Sequence, residues 1–143
     1  MLRDFGNYLF SMTFVTIVAI YGLGLPTLVT GNTKLVKEYY YDDALKSYIL
    51  DIFLIAAYLW AGHSAIRALY PKAGLVGSSF IIAETSMLIT TGFMFLIPAV
   101  QSPGSFFVRW FKAVGFKAAI YDACLIVLTY LTMKAVHNLL PKV

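Results

Sequence analysis

Four stretches of predominantly apolar residues, near 8–29, 48–70, 75–100 and 118–140, constrain this chain more than any other feature. A helix of roughly 20 apolar residues rises about 30 Å, which matches the hydrocarbon core of a bilayer. Composition points the same way: 60% of the residues are hydrophobic and 13% charged, against about 25% charged in a typical soluble domain. The first stretch is not read as a cleavable signal. It is too long for a signal's apolar core, no small-residue cleavage site follows it, and a matched segment recurs later in the chain. The expectation is an all-α integral membrane protein, multi-pass, with four transmembrane helices.

The second half of the chain repeats the order of features in the first. GLGLPTLV (22–29) matches GFMFLIPAV (92–100), LVKEYY (35–40) matches FVRWFK (107–112), YILDIFLI (48–55) matches AIYDACLI (119–126), and LYPK (69–72) matches LLPK (139–142). The alignment sets Asp51 against Asp122. The expected organisation is one membrane domain of two tandem helical hairpins, 1–72 and 73–143. Two crossings per hairpin give both copies the same orientation, so the repeats are parallel rather than inverted.

Each hairpin connection, 34–46 and 104–117, reads as a short amphipathic helix at the membrane interface. In the second, Phe106, Phe107, Trp110, Phe111 and Val114 share one face while Arg109 and Lys112 lie elsewhere around the wheel. Aromatic and basic residues in that pattern suit headgroup depth and lipid contact. The first connection shows the pattern more weakly. With four crossings, one side carries Arg3, Arg67, Lys72, Lys134 and Lys142, and the other carries Lys34, Lys37, Lys46, Arg109, Lys112 and Lys117. Five against six gives the positive-inside rule nothing to act on.

Glu84 is the most expensive residue in the apolar runs, because an unpaired carboxylate in a bilayer costs a few kcal/mol or more. It lies roughly 13 Å below the face that carries the termini, and His63 lies about 10 Å below the same face. Arg67 shares a helix side with His63 at i+4, and Ser64, Thr85 and other hydroxyls lie at neighbouring depths. Glu84 is therefore expected to face the bundle interior within an intramembrane cluster of Glu84, His63, Arg67, Ser64 and Thr85. The cluster reads either as a polar clasp that fixes helix register or as a proton or ion relay. With no second acid beside it, the clasp is the simpler reading.

Asp51 and Asp122 are expected in the first turns of the second and fourth helices. A carboxylate there complements the helix dipole by about 0.3–1 kcal/mol and accepts unpaired N–H groups. A cation site formed by the pair is the alternative, although two carboxylates are few ligands for a metal. Ala57, Ala61 and Ala65 recur every four residues and read as a small-residue stripe for close helix packing. Pro26 and Pro98 are expected to end or kink the first and third helices. The lone Cys124 excludes an internal disulfide. His63 and His137 sit at different heights, which argues against a haem bridged between them.

No phosphate-binding glycine loop, Cys-x-x-Cys, His-Glu-x-x-His or Ser–His–acid arrangement is recognisable, so no catalytic residue, metal site or cofactor is expected beyond lipid contacts. The net charge of +4 suits lipid headgroups rather than nucleic acid. The functional expectation is a non-enzymatic structural or assembly subunit packed laterally in a larger energy-transducing membrane complex, or in the membrane layer of a virion, with neither haem nor quinone expected as its cofactor. Its partners would be other membrane subunits or further copies of the chain. The alternative is a small proton-coupled transporter or ion-conducting protein using Glu84 and His63.

Overall fold

A computed structural model describes residues 1–140. The end of the LLPK match, including Pro141 and Lys142, and the last residues of the expected second hairpin, 73–143, lie outside them. Helix α1 (Leu2–Val15) runs directly into a π-helical stretch, Thr16–Gly22, and the two make one 21-residue span. Gly24 ends it with a φ of 63°, a left-handed conformation open to a residue without Cβ. Pro26 then sits in the first turn of the short helix α2 (Leu25–Thr30), where its missing N–H leaves no bond unmade. The glycine thus breaks the first helix and the proline starts the next one. For that reason the span covers Leu2–Gly22 rather than 8–29.

Helix α3 (Thr33–Lys37) is capped by Asn32, whose side chain accepts the Leu35 N–H at 3.0 Å. It continues into a π turn, Glu38–Asp42. Then follow α4 (Ala44–Leu69), α5 (Leu75–Val100), α6 (Phe106–Val114) and α7 (Lys117–Leu139). Pro98 falls inside the final turn of α5 and does not end it early. No strand occurs among the described residues. Four helices, Leu2–Gly22, α4, α5 and α7, are long and apolar enough to cross a membrane, consistent with a multi-pass membrane protein.

Each of these helices packs on the next in chain order, and α7 closes the set by packing on α1 and α2. Helix α7 touches all three of the others, so its buried face carries small or medium residues such as Ala118, Ala123 and Thr129. Buried hydroxyls satisfy themselves locally: Ser86 donates to Ile82 O at 2.7 Å and Thr129 to Leu125 O at 2.9 Å. Asn7 ties α1 to α7 through Met133 O, and Thr13 and Tyr48 tie α1 to α4.

The small residue buried between α4 and α5 is Gly62 rather than one of the alanine stripe. A Cβ on Gly62 would stand 2.9 Å from Ile82 Cγ1. Ala57 is exposed, and Ala61 and Ala65 are half-buried. The buried face of α4 runs instead through Asp51, Ile55, Tyr58, Leu59 and Gly62.

Candidate ligand-binding cavity

Where α4 and α7 begin and α5 ends, α6 and the Glu38–Asp42 turn fold over the helix ends and border a partly open cavity of about 260 Å³. Within the YYYDD run, Tyr40 is buried and Tyr39 half-buried against the cavity, while Tyr41 is exposed. The aromatic face of α6 supplies most of the roof. Trp110 is 7% exposed and Phe111 8%, with Phe106 and Phe107 half-buried beside them. This corrects the expectation that these four rings face lipid: they pack on the protein's own core, and Tyr39 stacks on Phe106 at 4.9 Å. Lys112 is exposed, as an outward basic residue should be.

Arg109 fixes the roof in place. Its Nη1 donates to Glu38 Oε2 at 2.8 Å, Nη2 donates to Oε1, and Nε donates to Gly104 O at 3.1 Å. The two-pronged pair joins α6 to the π turn across 71 residues of sequence. Hydrogen bonding from Arg109 holds the Glu38 carboxyl below its ordinary value. Both side chains are about one-third exposed, so the pair acts more as a positional tie than as a large source of stability.

Two carboxylates stand in the cavity wall. Asp51 is 8% exposed and accepts the Tyr39 hydroxyl at 2.7 Å on Oδ1. Burial, and then the Asp51 charge, push the Tyr39 phenol far above its ordinary value, so it remains a donor. Asp122 accepts Thr90 Oγ1 at 2.6 Å on Oδ2, with the Tyr58 hydroxyl 3.4 Å from the same oxygen. Since Thr90 has a single proton and gives it to Asp122, Tyr58 donates to Thr90 at 2.7 Å. Tyr40 and Tyr121 share a third bond of 2.6 Å. Burial, and after it the Tyr121 neighbour, raise the Tyr40 phenol.

Neither aspartate is the first-turn cap expected from sequence. Helix α4 begins at Ala44 and α7 at Lys117, so Asp51 is the eighth residue of its helix and Asp122 the sixth. At those positions the backbone N–H groups are already used, and the carboxylates turn to side-chain hydroxyls on neighbouring elements.

The Glu84 cluster is not assembled either. The buried stripe of α5 is Ser78, Ile82, Ser86 and Thr90. Glu84, two residues from Ile82, points about 200° away from it. It is exposed, flanked one turn either way by Phe80 (67% exposed) and Leu88 (74%), and makes no hydrogen bond or ion pair among the described residues. His63 instead bonds Leu59 O through Nδ1 at 2.8 Å and meets the Tyr130 ring edge-on. Ser64 bonds Trp60 O, Arg67 and His137 are exposed, and Thr85 is half-buried. No group of three or more His, Cys, Asp or Glu suited to a metal ion occurs among the described residues.

Sequence reasoning singled out Asp51 and Asp122 but missed their partners, Tyr39, Tyr58 and Thr90, as well as the Tyr40–Tyr121 pair. Ten tyrosines in 143 residues were the available signal. Their pairing needed the packing of α4, α5 and α7, because Thr90 and Asp122 are 32 residues apart. Compared with known proteins, the chain matches no family model, no curated protein and no solved structure.

Proposed function

We propose that this chain is a multi-pass integral membrane protein that binds a small organic molecule in the cavity beneath α6. The observation that carries the reading is an aromatic-walled space of about 260 Å³ with two carboxylates in its wall. Small-molecule sites have this character: an apolar enclosure with a few convergent polar groups. Asp51 and Asp122 are costly to bury, and a purely structural bundle gains nothing by setting both beside an open space. If the tandem repeat holds, the two aspartates are equivalent positions brought to one site.

The test is mass spectrometry of the purified full chain released from mild-detergent micelles. The wild type should carry a bound small molecule that Ile97→Trp, which fills the cavity from α5, excludes while helicity by circular dichroism is unchanged. An identical set of bound molecules in both proteins would refute the reading.

A second reading, a laterally packed subunit, is favoured by one observation: Glu84 lies on the outer apolar stripe of α5 with no partner in its own chain among the described residues. Stoichiometric co-purification of another membrane protein, lost in Glu84→Leu, would support it; a lone chain in mild detergent would overturn it. Transport through Glu84 and His63 is less favoured by the two cavities described among residues 1–140. His63 lines a separate space with Ser78 and Tyr130, and Glu84 lines neither.

A further inference from the structure

We infer that the cavity's ligand is an organic ammonium, a positively charged amine carried on an apolar or aromatic stem; this rests on the ligand-binding reading above. Four observations converge. The lining contains two carboxylates and no Lys, Arg or His. Asp51 is 8% exposed, and its Oδ2, like Asp122 Oδ1, receives no hydrogen bond among the described residues. Each aspartate thus keeps one oxygen available to a donor from the cavity. The hydroxyls beside the aspartates are already committed, Tyr39 to Asp51, Thr90 to Asp122 and Tyr58 to Thr90, so the free carboxylate oxygens have no donor from the wall, while one proton of the Tyr40–Tyr121 pair stays uncommitted. Finally, the walls are aromatic faces, which attract cations through their negative π surfaces. At the outer edge of the same roof, the Arg109 guanidinium already lies 5.9 Å from the Phe106 ring centre.

The competing ligand chemistries fit less well. A quinone or other carbonyl compound could use the one free proton of the Tyr40–Tyr121 pair, but it brings no donor for the open oxygens of Asp51 and Asp122. An anion would meet two carboxylates and no compensating cation. A divalent metal would find two carboxylates and few other strong oxygen ligands. An ammonium, with up to three N–H donors, matches two free carboxylate oxygens while its stem fills the apolar volume.

The chain has two tryptophans, and Trp60 is 71% exposed on the outer face of α4. In a Trp60→Phe background, Trp110 in the cavity roof becomes the only indole and reports occupancy directly. Three probes of similar size are titrated into the full chain in detergent micelles at neutral pH: phenethylammonium, 2-phenylethanol and 3-phenylpropanoate. The expected result is saturable change of Trp110 fluorescence with phenethylammonium, at least tenfold weaker response to the alcohol, and none to the carboxylate. Asp51→Asn and Asp122→Asn should each weaken the amine at least tenfold and leave the alcohol unchanged, which also shows that the cavity still folds. Phe107→Leu, which removes one aromatic face without touching either acid, should weaken the amine more than the alcohol.

Equal binding of amine and alcohol, indifferent to both Asn variants, would overturn the ammonium inference and leave the ligand-binding reading standing. Absence of saturable binding by all three probes would also overturn it; the bound-molecule measurement with Ile97→Trp then decides whether the ligand-binding reading falls too.

Discussion

Replacing Gly62 by alanine sets two effects of known sign against each other. In the middle of α4, alanine is favoured over glycine by about 1 kcal/mol of helix propensity. Against this, the new Cβ would stand 2.9 Å from Ile82 Cγ1, 3.4 Å from its Cα and 3.5 Å from its Cβ. Carbon atoms rest comfortably at about 3.5–4.0 Å. Ile82 has no exposed surface and is β-branched, so it cannot swing aside; α4 and α5 must separate instead. Overpacking of this kind costs about 1–3 kcal/mol, so the net outcome is a loss of about 0–2 kcal/mol. The assay is reversible unfolding in mixed micelles, run as a double-mutant cycle. Ile82→Ala removes Cγ1 and costs about 2–5 kcal/mol alone. In that background, Gly62→Ala should become stabilising by about 1 kcal/mol, because its methyl group enters vacated space. Gly92→Ala serves as the control: no atom lies within 4 Å of its new Cβ, so propensity acts alone and the change stabilises by up to about 1 kcal/mol. A stabilising Gly62→Ala in the wild type, or the same effect in both backgrounds, would refute the packing argument.

Thr90→Val keeps the shape of the side chain but deprives Asp122 Oδ2 of its 2.6 Å donor, leaving Tyr58 at 3.4 Å. Denaturation should show a loss of about 1–3 kcal/mol, largely recovered by Thr90→Ser; an unchanged midpoint would mean that the bond is not formed. Because Arg109 depresses the folded-state value of Glu38, the Glu38 contribution is present above the ordinary carboxyl value of 4.5 and is lost as pH falls through the lower folded value. Amide protection factors in α6, corrected for the intrinsic pH dependence of exchange, should therefore fall in acid below about pH 4.5, and Glu38→Gln should be weakly protected at every pH; a pH-independent protection factor in the wild type would contradict this. Glu84→Leu removes an outward carboxylate that has no partner among the described residues, so stability in bilayers should hold or rise. A loss above about 2 kcal/mol would instead reveal an internal role.

The helices were legible from sequence wherever apolar run length alone decides them. Helix α5 was expected at 75–100 and spans Leu75–Val100, and α7 begins and ends within one residue of expectation. The first span was misplaced because the proline at 26 draws the eye, whereas the break depends on the backbone angle of Gly24, which no hydropathy window reports. Rotation about each helix axis was the larger failure. A run as apolar as α5 has almost no amphipathic signal, so nothing in SSFIIAETSMLITT says whether Glu84 or Thr90 faces the interior. Position along the helix was legible and direction around it was not. For α6, amphipathicity identified the correct face but not its neighbour: the same rings suit lipid or a protein core, and Glu38 with Arg109 decides between them only once the chain has folded.

The three acids placed farthest from the ends of the four long apolar helices separate according to what surrounds them, and that separation underlies the ammonium inference. Glu84 makes no hydrogen bond or ion pair in its own chain among the described residues, so lipid, a proton or another protein must accommodate it. Asp51 and Asp122 each receive a hydroxyl donor, yet every donor is neutral. A neutral hydrogen bond lowers the cost of a buried carboxylate without cancelling its charge. Arg109, the cation tied to the roof, is already engaged by both oxygens of Glu38. The cavity is therefore completed from outside the chain, by protons that neutralise the aspartates or by a cation that enters between them. A proton leaves the cavity empty and indifferent to ligand charge; an ammonium fills it and discriminates tenfold or more against its neutral counterpart. The amine-to-alcohol ratio in the Trp110 titration separates these two ways of balancing the same pair of charges.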